Sequence, residues 1–566
     1  MDRLLRIDVG SKVFVYEEVK DNYQLLGGRG LTSQIICDEV DPGCDPLSSS
    51  NKIVLAPGLL TGTSAPSSGR LSIGGKSPLT KTIKESNVGG MAAQRIARLG
   101  IKAIVIENGP AAGWLVIQIT KKGVKLLPAS NLTGLGNYDT VKELKSRYGN
   151  EATIISIGTA GEKLYSTATV AVTDINGNPS RHAGRGGMGA LLGSKRIKAI
   201  VIDDSGFARP VNEAFNDAAK TFSGALTQNA VSGGALPNLG TAVLVNMVNA
   251  MGALPTRNFK QGQNEKANEI SGEKLAEVIN SRGGKCGHPC MRGCVIRCSN
   301  VINGENGEYV TSGLEYETIA MFGSNCDITD LDDIAELDYL CDDLGVDTIE
   351  IANSIAIAME AGKIRFGDAE AAKDILKQID KGTELGRIIA QGAAVTGKAF
   401  NVKRIPVVKG QSLAAYDPRA IKANGVLYAT SPMGADHTCG NALGYPGIDP
   451  LKPEGQVEVS KQLQVLCAGI DCTGLCLFTV FALGENPENI GLVAEMINNT
   501  YNTKWNIENI IGLGQQALKI EREFNKKAGF GPNEDRLPEF FHEEPLPPHN
   551  TVFDVDNDSL GAVFNF

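Results

Sequence analysis

Three cysteines, Cys290, Cys294 and Cys298, stand at even four-residue steps in HPCMRGCVIRCSN, and a fourth, Cys476, lies far downstream in DCTGLCLF. Soft thiolates from one tight turn plus one distant segment suit a cubane iron–sulfur cluster, which needs a full set of converging sulfur ligands. The chemistry expected is one-electron transfer. Structural zinc is the plainer alternative, but it normally draws on two close pairs of cysteines, and only one dense group exists here. Cys286 precedes Cys290 by the same step, and Cys472 precedes Cys476 likewise, so each competes for a ligand place.

Two glycine-rich stretches invite nucleotide readings. Gly184, Gly186 and Gly189 in AGRGGMG satisfy the dinucleotide pattern, and Asp203 and Asp204 follow where a ribose-binding acid would stand. That pattern needs a strand running into the glycines and a full crossover helix after them; DINGNPSRHA is turn-rich, and only a short segment precedes KAIVIDD. SGRLSIGGKS resembles a phosphate loop but carries Arg70 where the first glycine is required. These segments better suit close backbone approach to a large anionic cofactor, with Arg29, Arg70, Arg181 and Arg185 supplying charge. Tight turns in a sheet domain are the plain alternative for any one of them.

The elements that must position these residues change character along the chain. Its 566 residues exceed one core and should divide into several domains. Up to about residue 205, runs such as KIVLAPGLL, RLSIGG, AIVIENG, WLVIQIT, ATIISIG and TATVAVTD alternate as strands do. Beyond it, DDIAELDYLCDDLG, DTIEIANSIAIAMEAG, AEAAKDILKQI and LVAEMINNTY have helical spacing. The expectation is an α+β multidomain protein: a β-rich domain over 1–205, then mostly helical domains over 206–405 and 406–566, the last ending in a Pro- and acid-rich extended tail. No repeat period is visible.

A net charge of -9 with no basic stripe argues against nucleic acid. No segment approaches the roughly twenty apolar residues of a membrane span. The opening MDRLLRIDVGSKVFVYEEV alternates like a strand and lacks a basic start followed by an apolar run, so a cytoplasmic location is expected, with the 12 Cys serving as free thiols and metal ligands.

Taken in order, LGGRGLTSQ, APGLLTGTSAPSSGRLSIGGKSPLT, SNVGGMAAQRIARLGIKAIVIE, IGTAGEKLYSTATVAV, RHAGRGGMGALLGSKRIKAIVI, EYETIAMFG, CDDLGVDTIE, AYDPR, MGADHTCG and DCTGLCLF resemble the signatures of the aldehyde:ferredoxin oxidoreductase family, from about residue 25 to the PLPP segment. The resemblance implies a tungsten (or molybdenum) bis-pyranopterin on a β-rich base, beside a [4Fe-4S] cluster held by Cys290, Cys294, Cys298 and Cys476. It places Arg70 between pterin and cluster. It implies that the backbone carbonyls of Asn87 and Ala183, in RHAGRGG with Gly184 and Arg185, complete the shell of a Mg2+ ion joining the pterin phosphates. Asp342 and Asp347 in DDLGVD, and Asp471 with Leu475 in DCTGLC, match the segments that grip the pterins. Glu317 matches the glutamate beside the metal, His437 a histidine donating to the carbonyl oxygen, and Tyr416 a residue lining the same pocket. On the residues alone, Ser312 and Glu315 read as a capping box opening the helix EYETIAMFG, which leaves Glu317 without a visible structural role.

The activity so implied is oxidation of an aldehyde with water to a carboxylic acid, electrons leaving through the cluster to ferredoxin or an iron–sulfur subunit. The alternative within the family is low-potential reduction of carboxylic acids or aromatic thioesters; outside it stands a non-catalytic zinc-stabilised or nucleotide-binding protein. Some members bridge two subunits with an iron held by a glutamate and a histidine three residues later. Here Glu336 is followed by Tyr339, so no bridging iron is expected by that route, while a homodimer or hetero-oligomer remains open.

Overall fold

The alternating runs become two six-stranded sheets in the computed structural model, which describes residues 2–204 and 209–566. The first comprises β1 (Arg3–Asp8), β2 (Val13–Glu18), β3 (Ile53–Pro57), β4 (Leu71–Lys76), β5 (Ile83–Val88) and β6 (Ile101–Glu107), in the order β2-β1-β6-β3-β4-β5. The second comprises β7 (Leu115–Thr120), β8 (Gly123–Pro128), β9 (Thr153–Ser156), β10 (Val170–Val172), β11 (Arg181–Ala183) and β12 (Ile197–Asp203), in the order β11-β10-β9-β12-β7-β8. Because successive strand residues face opposite ways, Leu5, Ile53, Leu55, Ile104 and Ile106 enter a core shared with Ile117, Ile155, Ile200 and Ile202 of the second sheet. Their neighbours Leu4, Val54, Ala103 and Val105 pack instead with Leu31 and Ile35 of the helix Gly28–Glu39. Each such fully buried Leu, Ile or Val side chain contributes roughly 1.5–3 kcal/mol.

The first sheet is therefore buried on both faces. Helices Gln456–Thr473 and Ile507–Lys527 join the core on its outer face through Ile470, Ile510 and Leu518, so the C-terminal part of the chain closes over the N-terminal sheet. The opening segment, read as one alternating run, is a hairpin of β1 and β2.

The helical region has its own large core, drawn from helices Tyr316–Phe322, Leu331–Leu344, Thr348–Glu360, Ala369–Lys381 and Lys422–Thr430. It runs through residues on both sides of 405, where the chain forms a short hairpin, Val407–Val408 with Gln411–Ser412. The expected boundary at 205/206 lies outside the described residues. Near the C-terminus the tail passes an isolated bridge between Leu546 and Thr551 and then buries Phe553, Val555, Leu560 and Val563 in the helical core. Gly425 permits this, since a Cβ there would come within 2.3 Å of the Phe553 ring.

No single helix among the described residues is long and apolar enough to cross a membrane. The dinucleotide pattern fails here too: β11 leads through the glycines into a helix of only 7 residues, Met188–Ser194, and Asp204 pairs with Arg95 and Arg98 at 3.5 Å each. Lys76 of the near-miss phosphate loop lies in β4 and donates to the Cys44 carbonyl at 2.7 Å.

Candidate active site and metal centre

The cysteine triplet occupies the loop between β13 (Lys285–His288) and β14 (Ser299–Asn303) of a three-stranded sheet completed by β15 (Tyr309–Ser312). Cys476 arrives from a distant part of the chain, in the turn after helix Gln456–Thr473, and the segment Ser67–Arg70 joins the two. Ser67 N–H donates to the Gly293 carbonyl at 2.9 Å, the Ser67 carbonyl accepts from Cys476 N–H at 2.8 Å, and Arg70 N–H donates to the Gly474 carbonyl at 3.1 Å. The approach depends on glycine: a Cβ on Gly58 would lie 2.0 Å from Gly474 N.

Cys290, Cys294, Cys298 and Cys476 thus share one apolar pocket with Leu236, Met291 and Ile296. The Cys290 thiol is raised well above its usual range by a hydrogen bond with Cys294 and by burial, and Cys294 is lowered by the same bond. Burial raises Cys298, and pushes Cys476 up to about 11. The two competitors lie elsewhere. Cys472 Sγ is 2.9 Å from where a Cβ on Gly30 would stand, within the core beside the first sheet. Cys286 packs against the large helical core.

Arg70 reaches from this pocket to β5. Its guanidinium donates to Asn87 Oδ1, and to the Asn87 carbonyl at 3.3 Å. A Cβ on Gly89 would meet Arg70 Nη1 at 3.1 Å and Cys290 Sγ at 3.2 Å, so the bare glycine lets the cation sit beside the thiol.

β5 and β11 are the outer strands of their sheets, and the segments that carry them meet: Arg185 N–H donates to Ser86 Oγ at 3.3 Å. The carbonyl-bearing positions Asn87 and Ala183 therefore belong to facing sheet edges, where a hard cation could find oxygen ligands. A side chain at Gly184 would meet only open space. Arg185, buried, donates to Asp347 Oδ2 at 3.3 Å, the Ala435 carbonyl at 2.8 Å and the Ser412 carbonyl at 2.6 Å. Asp347 also accepts from Ile349 N–H at 2.9 Å as the N-cap of its helix, and burial raises its pKa. Asp342 lies 3.0 Å from His182 Nε2 on β11. Asp471, 3.4 Å from Arg29, is pushed up to about 8 by burial and by the nearby Glu85 carboxylate. Leu475, four residues on, is buried, its N–H donating to Thr473 Oγ1 at 3.2 Å.

Glu317, on the first turn of helix Tyr316–Phe322, accepts the Ala415 N–H on Oε2 at 2.8 Å, and its Oε1 lies 3.5 Å from His437 Nε2. Tyr416 flanks them, its ring 5.3 Å from that of Tyr316 and 6.3 Å from that of His437. Burial next to the Glu317 charge holds the Tyr416 and Tyr428 phenols well above their usual range. Glu317 Oε1, His437 Nδ1 and Tyr428 Oη are buried without hydrogen-bond partners, a concentration that calls for a ligand. This wall adjoins the sheet platform, because Asp436, next to His437, pairs with Lys84 of β5 at 2.7 Å.

The capping-box reading is overturned. Glu315 occupies the N-cap position, but its side chain accepts from Thr241 Oγ1 at 2.6 Å and lies 3.6 Å from Arg181, while Ser312 ends β15 and donates to Ser180 Oγ at 2.9 Å. A buried guanidinium holds the carboxylate more strongly than a helix N–H does. At the expected bridging motif, Glu336 pairs with Lys373 at 2.5 Å and the Tyr339 ring stacks on Tyr138 at 4.6 Å.

Several participants gave no signal in the sequence. Glu85, Lys84, His182 and Tyr428, with Glu350, which accepts from Ser412 N–H at 2.9 Å, and Glu521, which accepts from Arg29 at 2.8 Å, sit inside strands and helices with ordinary periodicity, and only tertiary folding collects them. Asp436 could have been suspected from its place beside His437.

A sheet platform lined by buried arginines and carboxyls, adjoining both a four-thiol pocket and a glutamate–histidine pair, is the layout of a redox enzyme built around a large anionic cofactor. The family described as "Aldehyde ferredoxin oxidoreductase, N-terminal domain" matches residues 4–204, and "Aldehyde ferredoxin oxidoreductase, domains 2 & 3" matches residues 217–559. The chain belongs to the aldehyde ferredoxin oxidoreductase family. It is 35% identical over 575 residues to the tungsten-containing aldehyde ferredoxin oxidoreductase of Pyrococcus furiosus, covering 96% of this chain and 92% of the relative. It is equally identical, at 35% over 580 residues with the same shares, to the enzyme of that name from Thermococcus kodakarensis. The aliphatic sulfonate oxidoreductase WOR-like subunit of P. furiosus is more distant, at 25% over 494 residues and 79% of this chain. The fold is shared with the active-site complex BamBC of benzoyl coenzyme A reductase, at a TM-score of 0.80 and 17% identity over 99% of this chain and 93% of that one.

Proposed function

We propose that this protein oxidises aldehydes with water to carboxylic acids and passes the electrons one at a time through a [4Fe-4S] cluster to a ferredoxin-type acceptor. The observation that carries the reading is the pairing of a four-thiol pocket with the orphaned Glu317 Oε1 and His437 Nδ1 across one arginine-lined platform. Cys290, Cys294, Cys298 and Cys476 would hold the cluster. Arg185, Asp342, Asp347, Asp471 and Leu475 would grip the pterins, with Gly184 leaving room for them; the carbonyls of Asn87 and Ala183 would take up Mg2+. The buried carboxyls suit the N–H-rich pterin rings as acceptors, and the arginines suit phosphates. When bound, a tungsten or molybdenum bis-pyranopterin supplies the two-electron redox change between its hexavalent and tetravalent states.

The chain's own residues handle substrate and protons. Aldehyde plus water gives acid, two electrons and two protons. Glu317, fixed by the Ala415 N–H through one oxygen, keeps the other free to take a proton from water or the hydrated aldehyde. His437 stands within reach of that oxygen and can donate to the substrate carbonyl or receive the proton Glu317 holds. Tyr416 and the Tyr428 hydroxyl close the wall and exclude bulk water.

The test is elemental analysis of anaerobically purified protein, followed by an aldehyde panel with an oxidised viologen and, in reverse, carboxylic acids with reduced viologen. The expected result is tungsten or molybdenum together with iron, and aldehyde-dependent dye reduction. Protein that carries both metals yet reduces dye with none of the aldehydes would sink the reading.

A further inference from the structure

The loop that carries the cysteine triplet turns one side to solvent, and its charge is opposite to that of the chain as a whole. Between Pro289 and Cys298 it contains Arg292 and Arg297, both exposed, and no acidic residue. Neither arginine forms an ion pair among the described residues, although the chain carries 64 acidic side chains against 55 Lys and Arg. Arg297 adopts a left-handed backbone (φ 52°), where glycine or asparagine would fit with less strain, while its N–H donates to Cys294 Sγ at 3.3 Å. The backbone bond serves the thiol. It does not require an arginine side chain, so the exposed cation there needs a purpose of its own.

Apolar surface completes the patch. Phe478 packs against the thiol pocket and stacks on Phe481 with ring centroids 6.1 Å apart, and Phe481 is 36% exposed. Val231 and Val295 cover the same pocket and are themselves only half-buried. At the edge, Glu485 is engaged by Asn229 Nδ2 at 2.7 Å. The thiols therefore lie under a thin cover whose outer face is apolar with two free cations.

We propose that this face, Arg292 and Arg297 with Phe481, Phe478 and Val231, is the docking surface for a small acidic iron–sulfur carrier; the inference rests on the electron-transfer reading above and names where its partner lands. Two chains of like net charge repel, so productive encounter needs a local patch of opposite sign at the point where the electron leaves. Each docking event moves one electron from the reduced cluster to the oxidised carrier, and two carriers are reduced per aldehyde oxidised.

The experiment compares holoenzyme with R292E/R297E, using a small acidic [4Fe-4S] ferredoxin as probe. Binding of oxidised ferredoxin is measured at rising ionic strength, alongside iron content and aldehyde-dependent reduction of viologen. The expected result is wild-type binding that weakens with salt, a double variant at least about 10-fold weaker at low salt, and unchanged dye-linked turnover. Should the double variant lose iron, R292E combined with Phe481→Asp carries the same expectation without touching Arg297. Equal affinity of iron-replete variant and wild type, or wild-type binding indifferent to salt, would overturn the proposal. Salt-dependent binding lost in the variant, in an enzyme that reduces dye with no aldehyde, would overturn the oxidation reading and support the docking surface.

Discussion

Glu317 Oε1 stands 3.5 Å from His437 Nε2, while Glu317 Oε2 is held by the Ala415 N–H at 2.8 Å. One oxygen positions the side chain; the other is left for chemistry.

That division makes Glu317→Gln informative. The amide oxygen can still accept from Ala415, so the fold and metal content should persist, whereas the amide nitrogen cannot take a proton. We expect kcat for aldehyde oxidation to fall by about 100- to 10,000-fold with KM little changed. A metal-replete variant with undiminished turnover would reduce Glu317 to a structural residue.

The sequence makes the strands, the helices and the cysteine group readable, because their periods and spacing are local. Glu317 shows how far that extends: helical spacing places it on a first turn, but nothing local says that it faces His437 rather than solvent. Glu315 shows where it misleads, since Arg181, which draws it away from the helix N-terminus, is brought near only by the packing of β11 against β15. The buried charges about Arg29 and Arg185 were equally hidden. A glutamate such as Glu521 reads as the polar face of an amphipathic helix until its partner, Arg29 at 2.8 Å, arrives from the far end of the chain.

Asp471 links the site to pH. Its carboxyl is pushed up to about 8 in the folded protein against an ordinary 3.8. Between those values the unfolded chain has released the proton that the folded chain keeps, so cofactor-free protein should lose stability as pH rises from about 4 to about 8. Below that window the group contributes no pH dependence. In Asp471→Asn this slope should vanish, leaving the cofactor-free variant at least as stable as the wild type at pH 7.5, because Arg29 retains both oxygens of Glu521 at 2.9 and 2.8 Å. Melting temperature measured across about pH 5–8 checks it. A variant clearly less stable at the upper end would contradict a protonated Asp471.

The neighbouring thiols Cys472 and Cys476 should behave oppositely. Cys476→Ala removes a side chain from the four-thiol pocket and is expected to lower iron content and visible absorbance while the far-ultraviolet circular dichroism persists. Cys472→Ala empties packing space against Gly30 and should cost about 1–2 kcal/mol with iron retained. Iron loss in the second variant and not the first would reverse the ligand assignment.

Two glycines separate what holds the platform together from what leaves room on it. Gly28 has φ 47°, and a Cβ there would lie 2.0 Å from the Asp471 carbonyl, so Gly28→Ala must push the helix Gly28–Glu39 away from the end of helix Gln456–Thr473. We expect a loss of about 2–4 kcal/mol, with cofactor content falling as a consequence. Gly184→Ala meets no atom within 4 Å, so the unfolding midpoint of cofactor-free protein should stay within about 0.5 kcal/mol of wild type. Its new methyl nonetheless projects into the space assigned to the pterin, and the tungsten or molybdenum content of the purified variant should drop. Full metal content in Gly184→Ala, with unchanged aldehyde turnover, would mean that the open space beside β11 is not where the cofactor lies.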